Sequence, residues 1–156
     1  MKQYYNRKQF LMTRSLNLSL VNVIASLFIF LFTYTGITKS HKFELFSYVL
    51  SKSSLIGGNA KLVAWSILIS ESAAILLLII SPLRYYGFMT CAALMALFTG
   101  YILSMLMTQS TLPCSCGGIL NKLSWKDHLY LNFILTVLAV VGLFLEKKKH
   151  SKNLLQ

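Results

Sequence analysis

The chain has 156 residues, 56% of them hydrophobic and only 12% charged, about half the charged share of an average soluble domain. Mean hydropathy is +0.64. These values exclude a soluble globular enzyme and a disordered chain. The formal net charge of +11 does not argue for nucleic-acid binding, because the basic residues lie at the ends of apolar stretches, where they set membrane orientation.

In chain order, residues 1–17 are a basic segment with Lys2, Arg7, Lys8 and Arg14. Residues 18–38 follow without a charge and form the first predicted span. The apolar region of a signal peptide is about 7–15 residues long and ends at a small-residue cleavage site. This stretch is longer, and Gly36-Ile37-Thr38-Lys39 is a poor site, so the span is expected to be retained. In the next loop Phe43, Phe46 and Leu50 recur at i, i+3 and i+7, with Leu45 and Val49 beside them. That spacing predicts a short amphipathic helix in the membrane interface, ended by Gly57-Gly58-Asn59.

The second span, 62–83, contains one ionisable residue, Glu71, and closes on the tight Ser81-Pro82-Leu83-Arg84 turn. The third, 85–108, lies in a charge-free stretch, and the fourth covers 129–145. A bilayer core needs about 20 apolar helical residues, so the fold class is all-α, an integral membrane four-helix bundle over residues 18–145. The basic tail 146–156 is expected to fray. With both termini cytoplasmic, the inner side holds nine Lys and Arg: Lys2, Arg7, Lys8, Arg14, Arg84, Lys147, Lys148, Lys149 and Lys152. The outer side holds six: Lys39, Lys42, Lys52, Lys61, Lys122 and Lys126. The excess predicts that orientation, in a bacterial inner membrane, with the loop at about 113–128 facing the periplasm or exterior.

That loop carries the chemistry. Cys114 and Cys116 stand in Leu112-Pro113-Cys114-Ser115-Cys116-Gly117-Gly118, where thiols meet an oxidising compartment. A turn at this spacing can bring the two sulfurs into a disulfide, and the glycines give the backbone freedom to make it. So small a ring is strained, and strained, exposed disulfides are labile rather than structural. Two thiolates are otherwise half of a tetrahedral metal site, with His128 as a third ligand, or they are inert. No metal is expected. Cys91, inside the third span, reads as a small buried apolar residue.

Glu71, at the centre of its span, must be protonated, paired or turned into the bundle. It is either a proton acceptor and cofactor contact, with a quinone the one cofactor considered, or a structural group bonded to Tyr34, Tyr101 or Asn132. Asp127 and His128 open the fourth span. Asp127 suits a helix cap or first-turn acid. His128 is either an interfacial polar residue or a group that favours a thiolate. Lys39 is expected to snorkel to the interface or to stabilise a thiolate. Trp125 fits the aromatic belt, and Asn132 needs a partner in the bundle.

The first span ends Tyr34-Thr35-Gly36-Ile37-Thr38-Lys39, with Phe43 beyond, and the second holds a central Glu71. The Pro113-Cys114-Ser115-Cys116-Gly117-Gly118 run is followed by Leu123-Ser124-Trp125, His128 and Asn132. Together these resemble the MauE branch of the DoxX-like membrane proteins over about residues 18–145. The resemblance implies a four-helix membrane bundle related to the vitamin K epoxide reductase-like group, and a role in redox events outside the cytoplasm. MauE itself is associated with maturation of the disulfide-rich small subunit of methylamine dehydrogenase. This chain has Cys-x-Cys where the vitamin K epoxide reductase proteins have Cys-x-x-Cys, and it lacks a second cysteine pair.

The expected function is thiol–disulfide exchange with extracytoplasmic partner proteins, thioredoxin-like or disulfide-rich, through Cys114 and Cys116. In this expectation His128 and Lys39 favour the thiolate and Glu71 handles protons or contacts a quinone. The alternative is a non-catalytic accessory subunit that docks a periplasmic redox or target protein. A transporter is disfavoured, since the spans contain no paired broken helices.

Overall fold

The computed structural model describes residues 2–51, 56–108 and 125–153. Among them are five α-helices: α1 (Lys2–His41), α2 (Phe43–Ser51), α3 (Ala60–Ile79), α4 (Arg84–Thr108) and α5 (Trp125–Asn153). Tight 3-10 turns at Gly57–Asn59 and Ser81–Leu83 lead into α3 and α4. Cys114, Cys116 and the rest of their loop lie outside the described residues.

Four of the helices are long and apolar enough to cross a membrane, over Leu18–His41, Ala60–Ile79, Ser81–Ser104 and Asp127–Lys147. Their number agrees with the four predicted spans. The helices themselves run further than the spans. α1 has 40 residues, about 60 Å at helical rise, twice the thickness of a bilayer core. Its first turns therefore belong to the basic N-terminal segment. At the other end of the chain the tail is helical through Asn153 rather than frayed at 146, and Glu146 is buried.

α3 ends where Pro82 removes a backbone donor. Ile80 turns extended while its N–H still reaches the Leu76 carbonyl at 3.1 Å. The chain then doubles back so closely that a Cβ on Gly87 would lie 3.0 Å from backbone atoms of Leu77 and Leu78. Only a glycine permits that approach without displacement.

The four long helices form a ring in the order α1, α3, α4, α5, and α2 packs against the start of α3. On α1, Val21, Ile24, Phe28 and Phe32 line the inward stripe, at helical spacing. They meet Leu78 of α3, Phe88 and Cys91 of α4, and Leu135 and Ala139 of α5. The predicted amphipathic helix is α2. Its Phe46 and Leu50 cover Ala60 and Ala64 of α3, while Leu45 is exposed. Elsewhere the outward surface is apolar: Phe30 is 72% exposed, Leu97 69% and Phe144 65%. Lipid gives no hydrophobic drive for helices to associate, so close packing at small residues must do it. Ala64, Ala74, Ala139 and Gly142 supply those contacts.

Candidate functional site

Glu71 lies eleven residues into α3, about 17 Å along its axis, and is 1% exposed. Its partner is Lys39, near the end of α1. The ammonium forms an ion pair and hydrogen bond with Oε1 of Glu71. For a structural Glu71 the sequence offered Tyr34, Tyr101 or Asn132 as partners, and for Lys39 either snorkelling or stabilisation of a thiolate. The correction has a physical cause. Snorkelling requires a side chain that leaves the bundle, but Lys39 is 5% exposed and turns inward. Its ammonium lies 4.7 Å from the ring centroid of Phe98 on α4 and 5.5 Å from that of Phe46 on α2. Four helices thus meet at one charge. A buried charge is tolerated when paired, and the aromatic faces add cation–π attraction.

The second carboxylate oxygen of Glu71, Oε2, has no hydrogen-bond partner among the described residues. Gly36, one turn before Lys39 on α1, leaves space beside it. A Cβ there would lie 3.8 Å from Oε2.

His128 and Asn132 occupy the first turns of α5. His128 is 3% exposed, so it is a buried group rather than an interfacial one. Its Nδ1 has no partner among the described residues. Asn132 donates to the His128 carbonyl at 3.1 Å, a bond within α5 itself rather than to a neighbouring helix of the bundle. Asp127 is exposed in the first turn of α5, where a negative charge suits the positive end of the helix dipole. Cys91 is fully buried in the core, as its sequence context implied. Among the described residues, no three His, Cys, Asp or Glu gather to hold a metal ion.

A second polar cluster, at the end of the bundle opposite α2, escaped sequence reasoning. Arg84 donates from Nη1 to Asn22 Oδ1 at 2.8 Å and from Nε to the Leu78 carbonyl at 3.2 Å. Its Nη1 also lies 3.9 Å from Glu146 Oε1. One guanidinium therefore joins α1, α3 and α5. The available signal was that Arg84 and Glu146 are opposite charges assigned to the same membrane face.

A family model described as Methylamine utilisation protein MauE matches residues 17–145, most of the chain. No curated protein matches, and no solved structure matches.

Proposed function

Because the chain belongs to the MauE family and is a multi-pass membrane protein, we propose that it is a thiol–disulfide redox protein acting on extracytoplasmic partner proteins. The observation that carries this reading is the Cys114-Ser115-Cys116 spacing in the segment between α4 and α5. α4 ends and α5 begins at the end of the ring where α1 ends and α3 begins. The Lys and Arg bias assigns that end to the outside. His128 stands one turn into α5, twelve residues after Cys116. In this reading its imidazole favours the thiolate form of the pair.

The exchange is a two-electron transfer. A thiolate of the partner attacks one sulfur of the Cys114–Cys116 disulfide, that S–S bond breaks, and the other cysteine leaves as a thiolate. The partner's second thiolate then attacks the mixed disulfide. The partner ends with a disulfide, oxidised by two electrons, and Cys114 and Cys116 end as a reduced pair.

The test is the redox state of the two cysteines in intact cells, by acid quench and maleimide mass-tagging, on a Cys91→Ala background. Both oxidised and reduced forms are expected in growing cells. Cys114→Ser or Cys116→Ser should trap a mixed disulfide with an extracytoplasmic protein. A pair locked in one state under every growth condition, with no adduct from either variant, would overturn the proposal and favour a non-catalytic docking role.

A further inference from the structure

Between α1 and α3 runs a groove of about 570 Å³. Phe32, Thr33, Gly36 and Ser40 line it from α1, and Ser72 and Ile75 from α3. Its polar character is one-sided. Thr33 donates its hydroxyl to the Ile29 carbonyl at 2.7 Å, Ser40 to that of Gly36 at 2.8 Å, and Ser72 to that of Leu68 at 2.9 Å. A hydroxyl has one hydrogen to give. Each has given it to its own helix, so each turns only lone pairs to the groove.

Gly36 forms part of the wall, and behind it is Glu71 Oε2. Among the described residues, and apart from the glycine's chain neighbours and nearby helix backbone, only this oxygen would come within 4 Å of a Cβ built on Gly36. It is also the carboxylate oxygen with no partner among the described residues, on a side chain 1% exposed. A methyl-sized space at the glycine therefore borders on a buried, unsatisfied acceptor, with Gly36 alone in common between that space and the groove wall. Such a group carries a desolvation cost that a hydrogen-bond donor removes. His41 also lines the groove and is exposed. Its ring can donate, but it stands five residues beyond Gly36, about 7.5 Å along the axis at the mouth.

We propose that this groove binds a neutral, lipid-soluble amphiphile through a hydroxyl head that donates to Glu71 Oε2. The Lys39–Glu71 pair is already charge-balanced, so an anion meets only a carboxylate oxygen, and a cation loses hydration without a free counter-charge. The flanks are apolar and lipid-facing, with Ile37 55%, Ile69 64% and Leu76 61% exposed. A ligand can therefore enter sideways from the bilayer. An oxidised quinone is the wrong complement at this depth, because its carbonyls only accept and the wall only accepts.

This inference uses neither Cys114 nor Cys116 and stands apart from the redox reading. Its test compares two probes, para-hexylphenol and its methyl ether para-hexylanisole, which differ in the O–H donor. Full-length protein in nanodiscs is titrated with each, both as the native chain and as the Cys114→Ser/Cys116→Ser variant, in which thiol chemistry plays no part. The phenol should bind saturably and about tenfold more tightly than the ether, the value of one net hydrogen bond to a charged group. Gly36→Ala places a methyl at ordinary contact distance from Oε2. It should unfold at the native temperature and lose the preference for the phenol. Equal binding of the two probes by the native chain overturns the proposal, whether or not the alanine variant folds. So does a folded Gly36→Ala protein that keeps the preference.

Discussion

A Cβ on Gly142 of α5 would fall 2.5 Å from Cε1 of Phe88 on α4. The phenyl ring is fully buried and is held by the core on every side, so it cannot swing away freely. Gly142→Ala should destabilise the bundle by about 1–3 kcal/mol, as overpacking does. Adding Phe88→Leu, which withdraws the ring, should recover part of the loss. Thermal unfolding in detergent checks both, and an alanine variant as stable as the parent would mean that α4 and α5 do not meet at this glycine.

Breaking the Lys39–Glu71 pair from one side should cost more than removing it. Glu71→Leu leaves an ammonium buried between Phe46 and Phe98, and Lys39→Met leaves a buried carboxylate. Each should cost about 3–5 kcal/mol. The double variant Lys39→Met/Glu71→Leu removes both charges and should be closer to the native chain than either single one. A double-mutant cycle measures the coupling directly. Additive losses would show that the two residues do not interact.

Arg84 uses separate nitrogens to reach Asn22 and the Leu78 carbonyl. A lysine keeps the charge but not the planar fork. Arg84→Ala should therefore destabilise by about 1–3 kcal/mol, since Asn22 and the Leu78 carbonyl both lose their bond to the guanidinium. Arg84→Lys should fall between alanine and the native residue. Detergent unfolding of the three proteins orders them, and full rescue by lysine would reduce the cluster to a simple charge pair.

Cys91 is closed off by the core of α1, α3, α4 and α5. Cysteine reactivity requires access as well as thiolate character. In a Cys114→Ser/Cys116→Ser chain, maleimide should label Cys91 only after unfolding in dodecyl sulfate. Rapid labelling of the folded protein would contradict the packing of α4.

Hydropathy made the four spans and the short helix α2 legible, because burial in lipid or against a neighbour writes itself as period and length. Hydropathy locates the membrane rather than the helix ends, which is why α1 begins at Lys2 and not near residue 18. Glu71 stood out because a lone acid in a span demands an explanation. Its partner did not, because Lys39 lies 32 residues away. Which faces of α1 and α3 meet depends on rotation about each helix axis, and a stripe apolar on all sides does not encode it. The same holds for Arg84 and Glu146. Their shared end of the bundle was readable from charge counting, whereas their contact arises from the ring order of the helices. His128 read as interfacial because it opens its span, yet its own side chain is 3% exposed while its neighbour Asp127 faces outward.

The chain is made from its N-terminus, and this gives the Lys39–Glu71 pair a place in biogenesis. A lone carboxylate at the centre of a newly inserted helix costs about 2.5–3.5 kcal/mol. When α3 enters the bilayer, α1 is already there with the ammonium that neutralises it. The two helices can settle as a charge-balanced hairpin before α4 has left the ribosome. The later arrival of α4 then brings Phe98 over the lysine and closes the pair within the finished bundle.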